Sequence, residues 1–286
     1  MTQQMTRQFD RPVIGVYPDP PNDAELLRGA ARLAVDLDLP LLERPRARGL
    51  DMLLVVTPVR LELRVVKGDL RGGRPVYVNF SKLDTSSAPG RSRRQPIARS
   101  VGLARRSSSP TTVVDATAGF GEDAWLLASL GCRVLALERD PVVAALLRDG
   151  LVRAAADSSA AKNRDFHKRL HLVGADAKSL LSHMARADRL AVDELSDSMR
   201  RFCPPDVIYI DPMFPPKRKT TQRKPLRVLR QLVGEDADAP ALLQAALAVA
   251  KKRVVVKRPL RAAPLGDQPT SVHRGKAMRY DVYGIR

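Results

Sequence analysis

The sequence predicts an α/β protein: a mainly parallel sheet with helices on both faces, preceded by a small N-terminal α/β module. Three stretches predict it. In Val113–Asp123, Val-Val-Asp-Ala-Thr-Ala-Gly-Phe-Gly-Glu-Asp, β-branched residues lead into Asp115, small residues turn the chain, and an apolar-patterned helix opens at about Asp123. That helix ends at Gly131, a natural C′ residue, and a second strand, Cys132–Leu137, delivers Glu138. In Asp206–Lys217, Asp-Val-Ile-Tyr-Ile-Asp-Pro-Met-Phe-Pro-Pro-Lys, an apolar run reads as a buried parallel strand ending at Asp211. Strands that alternate with helices in this way build an open sheet whose ligands bind at the carboxyl ends of its strands.

The first stretch carries chemistry. Gly119 and Gly121 let the backbone turn sharply near a ligand, and Ala124 holds the small third position of a G-x-G-x-x-G/A pattern. Alone, that pattern is a weak signal. Glu138 strengthens it, because an acid about twenty residues beyond the glycines, at the end of the second strand, is placed to accept hydrogen bonds from ribose hydroxyls. A dinucleotide would set its pyrophosphate on the helix N-terminus. Here Asp115, Glu122 and Asp123 would repel that anion, whereas they suit the ammonium and sulfonium of S-adenosyl-L-methionine. The turn therefore favours a methyltransferase over a nicotinamide-dependent oxidoreductase. A plain βαβ unit with acidic caps would account for Asp123 but not for the glycines and Glu138 together.

Composition bounds the rest. The 286 residues are 44% hydrophobic and only 4% aromatic, so Val, Leu and Ala must fill the core. Lys and Arg number 49 against 31 acids, a net charge of +18. Such an excess suits a polyanionic partner, although an Arg-rich lineage would give it too. Cys132 and Cys203 lack metal-ligand spacing, and with no membrane-length apolar run and no signal-peptide pattern the expectation is a reduced, cytoplasmic chain without membrane or metal. His167 and His171 share an i, i+4 spacing but no third ligand lies nearby, so they read as surface histidines.

Taken in order, Pro12–Tyr17 reads as a strand and Asp23–Leu37 as an amphipathic helix through Leu26, Leu27, Ala30, Leu33 and Ala34. Met52–Thr57, Arg60–Val66 and Val76–Phe80 read as strands, which gives an N-terminal module over residues 1–80. Residues 81–111 read as a basic linker with a short helix at Gln95–Leu103; Arg91, Arg93 and Arg94 make it either solvated surface or an RNA-contacting arm. The main domain, 112–286, continues after Glu138 with Asp140-Pro141 as N-cap and N1 of the helix Pro141–Ala156. A short strand, Leu170–Val173, precedes Asp176, which either accepts from an adenine amino group or caps a helix beginning near Ala177. Ser179–Phe202 reads as mostly helical. Ala241–Ala250 is a helix, Arg253–Lys257 a strand extended by Arg258-Pro259, and Ser271–Ile285 supplies two terminal strands.

Asp211-Pro212-Met213-Phe214 matches the Asp/Asn-Pro-Pro-Tyr/Phe pattern of methyltransferases that act on exocyclic amines. Such an amine is a poor nucleophile, because its lone pair is delocalised into the ring. A carboxylate accepting one N–H, and a carbonyl held rigidly by proline accepting the other, aim that lone pair at a methyl group. Phe214 can stack on an extruded base. Lys217, Arg218, Lys219 and Arg223 follow at once and, with Lys257 and Arg258, are the candidate RNA contacts.

At this point the chain resembles the RsmJ family of bacterial 16S ribosomal RNA guanine-N2 methyltransferases. The segments that carry the resemblance are Asp115–Asp123, Ala128–Val134, Glu138–Leu147, Asp211–Pro215 and Arg253–Pro259, and it runs from about Val76 to the C-terminus. It implies a class I, Rossmann-like methyltransferase fold with cofactor contacts at Glu122, Asp123, Glu138, Arg139, Asp176, Ala177 and Asp211. It also implies transfer to a guanine near the 3′ end of the small-subunit RNA, presented as ribosomal RNA or as the small ribosomal subunit. A non-catalytic RNA-binding or ribosome-assembly factor that keeps the fold is the alternative.

Overall fold

Short runs of Val, Leu and Ile buried on both faces set the inner strands, and the computed structural model describes residues 11–45, 48–104, 109–157, 168–186, 197–214 and 223–285. The chain divides into two compact units, one comprising Met1–Tyr77 and Met213–Glu235, the other Val78–Pro212 and Asp236–Arg286.

In the first unit, β1 (Ile14–Pro18) pairs in parallel with β2 (Met52–Val56), which pairs antiparallel with β3 (Leu61–Val65). Helix α1 (Ala24–Leu37) starts because Asp23 Oδ1 accepts the N–H groups of Glu25 and Leu26, both at 2.9 Å. Tyr17, Leu50, Leu53 and Val55 form a small core. Val76–Phe80, read as a strand, is not one: Val76 makes a single bridge to Leu63, and a 3₁₀ turn runs over Phe80–Lys82. Asn79 accepts the Ser81 N–H at 3.0 Å and so turns the chain instead of extending it.

The second unit holds a seven-stranded sheet. Its elements in chain order are α2 (Pro96–Ser100), β4 (Thr112–Asp115), α3 (Glu122–Ser129), β5 (Arg133–Glu138), α4 (Pro141–Ala156), β6 (Leu170–Gly174), α5 (Ala177–Arg186), α6 (Asp197–Arg200) and β7 (Val207–Ile210). Helix α7 (Lys224–Val233) belongs to the first unit, where Arg227 pairs with Asp69 and Lys224 donates to the Gly72 carbonyl. The chain then completes the sheet unit with α8 (Ala239–Val249), β8 (Arg253–Pro259), β9 (Ser271–Arg274) and β10 (Met278–Gly284).

Strand order is β6-β5-β4-β7-β8-β10-β9, parallel through β8 and antiparallel at β10 and β9. The chain leaves β4 toward β5 and β6 and returns on the other side as β7, so the switch point lies between the ends of β4 and β7. One sheet face packs Val114, Leu135, Ile208 and Val254 against Leu181 of α5 and Leu242, Leu243 and Ala246 of α8. Trp125 and Leu127 of α3 and Leu146 and Leu147 of α4 are almost wholly buried, each worth roughly 1.5–3 kcal/mol of hydrophobic stabilisation. Within the stretch read as a linker, residues 84–95 form turns in which Gln95 donates to the carbonyls of Pro89 and Gly90 at 3.0 and 2.7 Å, and Arg91, Arg93 and Arg94 are exposed; residues 105–108 lie outside the described residues. Of Ser179–Phe202, residues 179–186 and 197–200 are helical, and 187–196 lie outside the described residues.

Candidate active site

Strand parity builds the site. Asp115 lies opposite Tyr209, and Tyr209 opposite Val255, so the odd-numbered residues of β4, β7 and β8 share one face. Carried two residues on, that alternation puts Asp211 and Lys257 on the same face, with Tyr280 of β10 paired across from Lys257. Asp123, in the first turn of α3, meets them. Its Oδ2 accepts the Tyr209 hydroxyl at 2.6 Å and the Lys257 ammonium at 2.7 Å, and Lys257 also lies 3.0 Å from Asp211 Oδ2.

The turn between β4 and α3 is set by its glycines. Gly121 has φ +76°, and a Cβ there would come within 2.6 Å of Leu147 Cδ1. The Gly119 N–H donates to Glu138 Oε2 and the Asp140 N–H to Oε1, both at 2.8 Å. Glu138 is thus clamped by two backbone donors, while each oxygen keeps a second lone pair. Asp140 caps α4, accepting from Val142 and Val143 at 3.0 Å each. Thr117 Oγ1 accepts the Asp211 N–H at 2.7 Å and ties the end of β7 to the same turn.

Electrostatics follow from crowding acids at a sheet end. Burial pushes the Asp115 carboxyl up to about 8, opposed by the Thr117 N–H and reinforced by Asp123 and Asp211. Burial likewise raises Asp211, with Lys257 opposing and Asp123 adding to it. For Lys257 burial works against the charge, but Asp211 and Asp123 outweigh it and hold the ammonium well above its usual range. Three carboxyl groups, Asp115, Asp123 and Asp211, thus crowd about the single Lys257 ammonium, and Glu122 stands exposed at the first turn of α3. Acids crowded in this way suit a cationic ligand and would repel a pyrophosphate.

The other expected contacts fall as follows. Asp176 caps α5 through Oδ1, 2.8 Å from the Ser179 N–H, and Ala177 is buried behind it. Arg139 is paired with Asp236 and Asp238, and Lys178 joins Asp238 at 3.3 Å. Pro212 is buried, and the Phe214 carbonyl accepts from Arg230 at 2.5 Å within the first unit. Lys217, Arg218 and Lys219 lie outside the described residues, and Arg223 is exposed at the N-cap of α7.

Two of the RNA candidates are corrected. Lys257 spends its charge between two carboxylates, and Arg258 is buried, donating twice to the Ala263 carbonyl at 2.9 and 2.5 Å. Neither guanidinium nor ammonium is turned out toward a phosphate. The reading from sequence also missed Tyr209 and Thr117. The available signal was a polar residue in step with Asp115 and Asp211 on otherwise apolar strands, which must find a partner when buried.

The mainly parallel sheet with acids at its switch point is the fold of a class I S-adenosylmethionine-dependent methyltransferase. The family described as "Putative SAM-dependent methyltransferase" matches residues 40–285, well before the Val76 at which the resemblance read from sequence begins. "Ribosomal RNA small subunit methyltransferase J" of Thioalkalivibrio sulfidiphilus is 44% identical over 263 residues, covering 91% of this chain and 94% of that one. Its counterpart from Coxiella burnetii is 42% identical, covering 91% and 93%, and that from Aeromonas salmonicida 46% identical, covering 80% and 85%. A crystal structure of an SAM-dependent methyltransferase from Neisseria gonorrhoeae superposes with a TM-score of 0.64 at 30% identity, covering 94% of this chain and 95% of that one. The chain belongs to the ribosomal RNA small subunit methyltransferase J family.

Among the described residues no helix is long and apolar enough to cross a membrane, and no group of three His, Cys, Asp or Glu side chains is placed to hold a metal ion.

Proposed function

We propose that this chain methylates the exocyclic N2 of a guanine in small-subunit (16S) ribosomal RNA, acting in the cytoplasm on the RNA or on the small ribosomal subunit. The observation that carries the reading is the Asp211 carboxylate at the switch point, within a cluster of acids suited to a sulfonium. The names of the curated relatives support the choice of RNA.

When bound, S-adenosylmethionine supplies a methyl group whose bond to nitrogen forms as its bond to sulfur breaks, the electron pair staying on sulfur. Glu138 holds the ribose with its remaining lone pairs, and the second oxygen of Asp176 takes the adenine amino group. Asp115 and Asp123 face the cationic end, and Glu122 and Arg139 border it. Asp211 accepts an N–H of the guanine amine, aims its lone pair, and takes the proton that nitrogen must lose, passing it to water. Pro212 fixes the backbone there, and Phe214 stacks on the base. Arg91, Arg93 and Arg94, with Lys217, Arg218, Lys219 and Arg223, contact phosphates.

The test is transfer of labelled methyl to free 16S RNA and to small subunits from cells lacking the protein, followed by mapping of the modified nucleotide. Label on a single guanine N2 in either substrate is the expected result. Cofactor binding without transfer to either would leave a non-catalytic RNA-binding factor.

A further inference from the structure

Lys257 closes a group of acids to which no sequence motif joins it. Its ammonium lies 2.7 Å from Asp123 Oδ2 and 3.0 Å from Asp211 Oδ2. The groups around Asp211 come from five elements: Asp115 from β4, Asp123 from α3, Tyr209 from β7 itself, Lys257 from β8 and Tyr280 from β10; Asp236, just before α8, adds negative charge.

We propose that Lys257 is a positioning residue for methyl transfer: it keeps Asp211 ionised and pins its Oδ2, so that Oδ1 is presented to the acceptor amine. The role of Oδ1 rests on the function proposed above. Control of Asp211 ionisation is a property of the free protein and is testable without it.

The physical case is one of like charges. Burial disfavours a negative charge on Asp211, and Asp123 and Asp236 disfavour it further. A protonated Asp211 would offer the amine a donor where it needs an acceptor, and could not take up its proton. One cation between Asp123 and Asp211 offsets this repulsion for both. Lys257 cannot itself receive the proton, because an ammonium has donors only. It acts through Asp211, and the cross-strand pairing of Lys257 with Tyr280 and of Val256 with Asp281 holds its stem in register.

Lys257→Met keeps the stem and removes the charge; Lys257→Arg keeps the charge. Asp211 is followed in the ligand-free protein by carboxyl carbon NMR against pH, assigned with Asp211→Asn. In Lys257→Met its midpoint should rise by roughly one to three pH units, the range for an opposite charge at this distance. In Lys257→Arg it should stay near the parent's. Single-turnover methylation should show the same shift, with the acid limb moved alkaline and the rate regained at high pH. A folded Lys257→Met with an unmoved Asp211 midpoint, or a rate lowered by one factor at every pH, overturns the proposal. Should Lys257→Met not fold, Asp123→Asn provides the opposite arm: it frees Lys257 for Asp211, whose midpoint should fall, and an unchanged midpoint again overturns it. An Asp211 midpoint that follows Lys257 in a protein that methylates no RNA would leave the ionisation control standing and remove the proposed function instead.

Discussion

Glu138 shows how one side chain can hold a turn together while its oxygens keep lone pairs to spare. Its carboxylate receives the Gly119 and Asp140 N–H groups, so the acid shapes the glycine turn. Glu138→Gln is therefore not conservative, since an amide NH₂ must face one of those two donors. We expect it to lower folding stability by roughly 1–3 kcal/mol and cofactor affinity at least tenfold, by thermal melts and calorimetric titration. A variant as stable as the parent would break this account of the turn. Asp211→Ala should behave differently, cutting the single-turnover rate on the order of 100-fold or more while RNA affinity holds, because orienting the amine matters most in the transition state. Both acids were legible because each ends an apolar strand in a chain of alternating strands and helices. Lys257 and Tyr209 were not, because their meaning depends on which strands become neighbours: Val-Val-Val-Lys reads alike at any sheet position until β8 is placed beside β7.

At the scale of elements, the β4–α3 turn is a tight fit. Gly121→Ala places a methyl 2.6 Å from Leu147 Cδ1 in a left-handed backbone, and should destabilise the protein by about 1–3 kcal/mol in melts. Asp115, ending β4, makes the same element sensitive to pH. Its carboxyl, pushed up to about 8, binds its proton more tightly in the folded chain than in the unfolded one. Folding stability should then fall as pH rises from about 4 to 8, and level off above. Asp115→Asn keeps the acceptor for the Thr117 N–H and removes that slope, so its melting temperature should exceed the parent's at pH 8 by more than at pH 5. Equal differences at both would mean Asp115 does not titrate there. In the parent, a cationic cofactor favours ionised Asp115, so binding near pH 7 should release protons, seen as a buffer-dependent heat. Elements were the most legible scale: β7 and α4 were read to the residue, since Pro141 and Asp140 mark a helix start without help from tertiary contacts. Val76–Phe80 misled because β-branched and aromatic residues suit a strand, yet a strand needs a partner, and past Val76 the turn at Asn79 intervenes.

For the molecule as a whole, the charge of +18 sets a prediction about salt. Replacing Lys217, Arg218 and Lys219 together by Ala should weaken RNA binding and leave cofactor affinity unchanged. Each lost phosphate contact should flatten the plot of log affinity against log salt by up to about one unit. A triple variant with the parent's affinity and slope would make this segment solvated surface and shift attention to Arg91, Arg93 and Arg94. The way the chain is divided was the least legible scale. Nothing in the amphipathic pattern of α7 says which surface it covers, and its pairing of Arg227 with Asp69 links residues far apart in sequence.

That division bears on how the enzyme comes into being. The sheet unit is written in two pieces, Val78–Pro212 and Asp236–Arg286, so no single continuous cut of the chain releases it intact without carrying the intervening segment. During synthesis β7 emerges with one flank bare, and Asp211 waits for its ammonium until β8 has left the ribosome. A chain broken off before that strand would still carry the glycine turn, Glu138 and the Asp-Pro motif. It would have a bare sheet edge prone to pair with other chains, and no ammonium between Asp123 and Asp211. The quality-control machinery would thus meet, in any early-terminated product, a molecule that displays its recognisable motifs and is nonetheless waste.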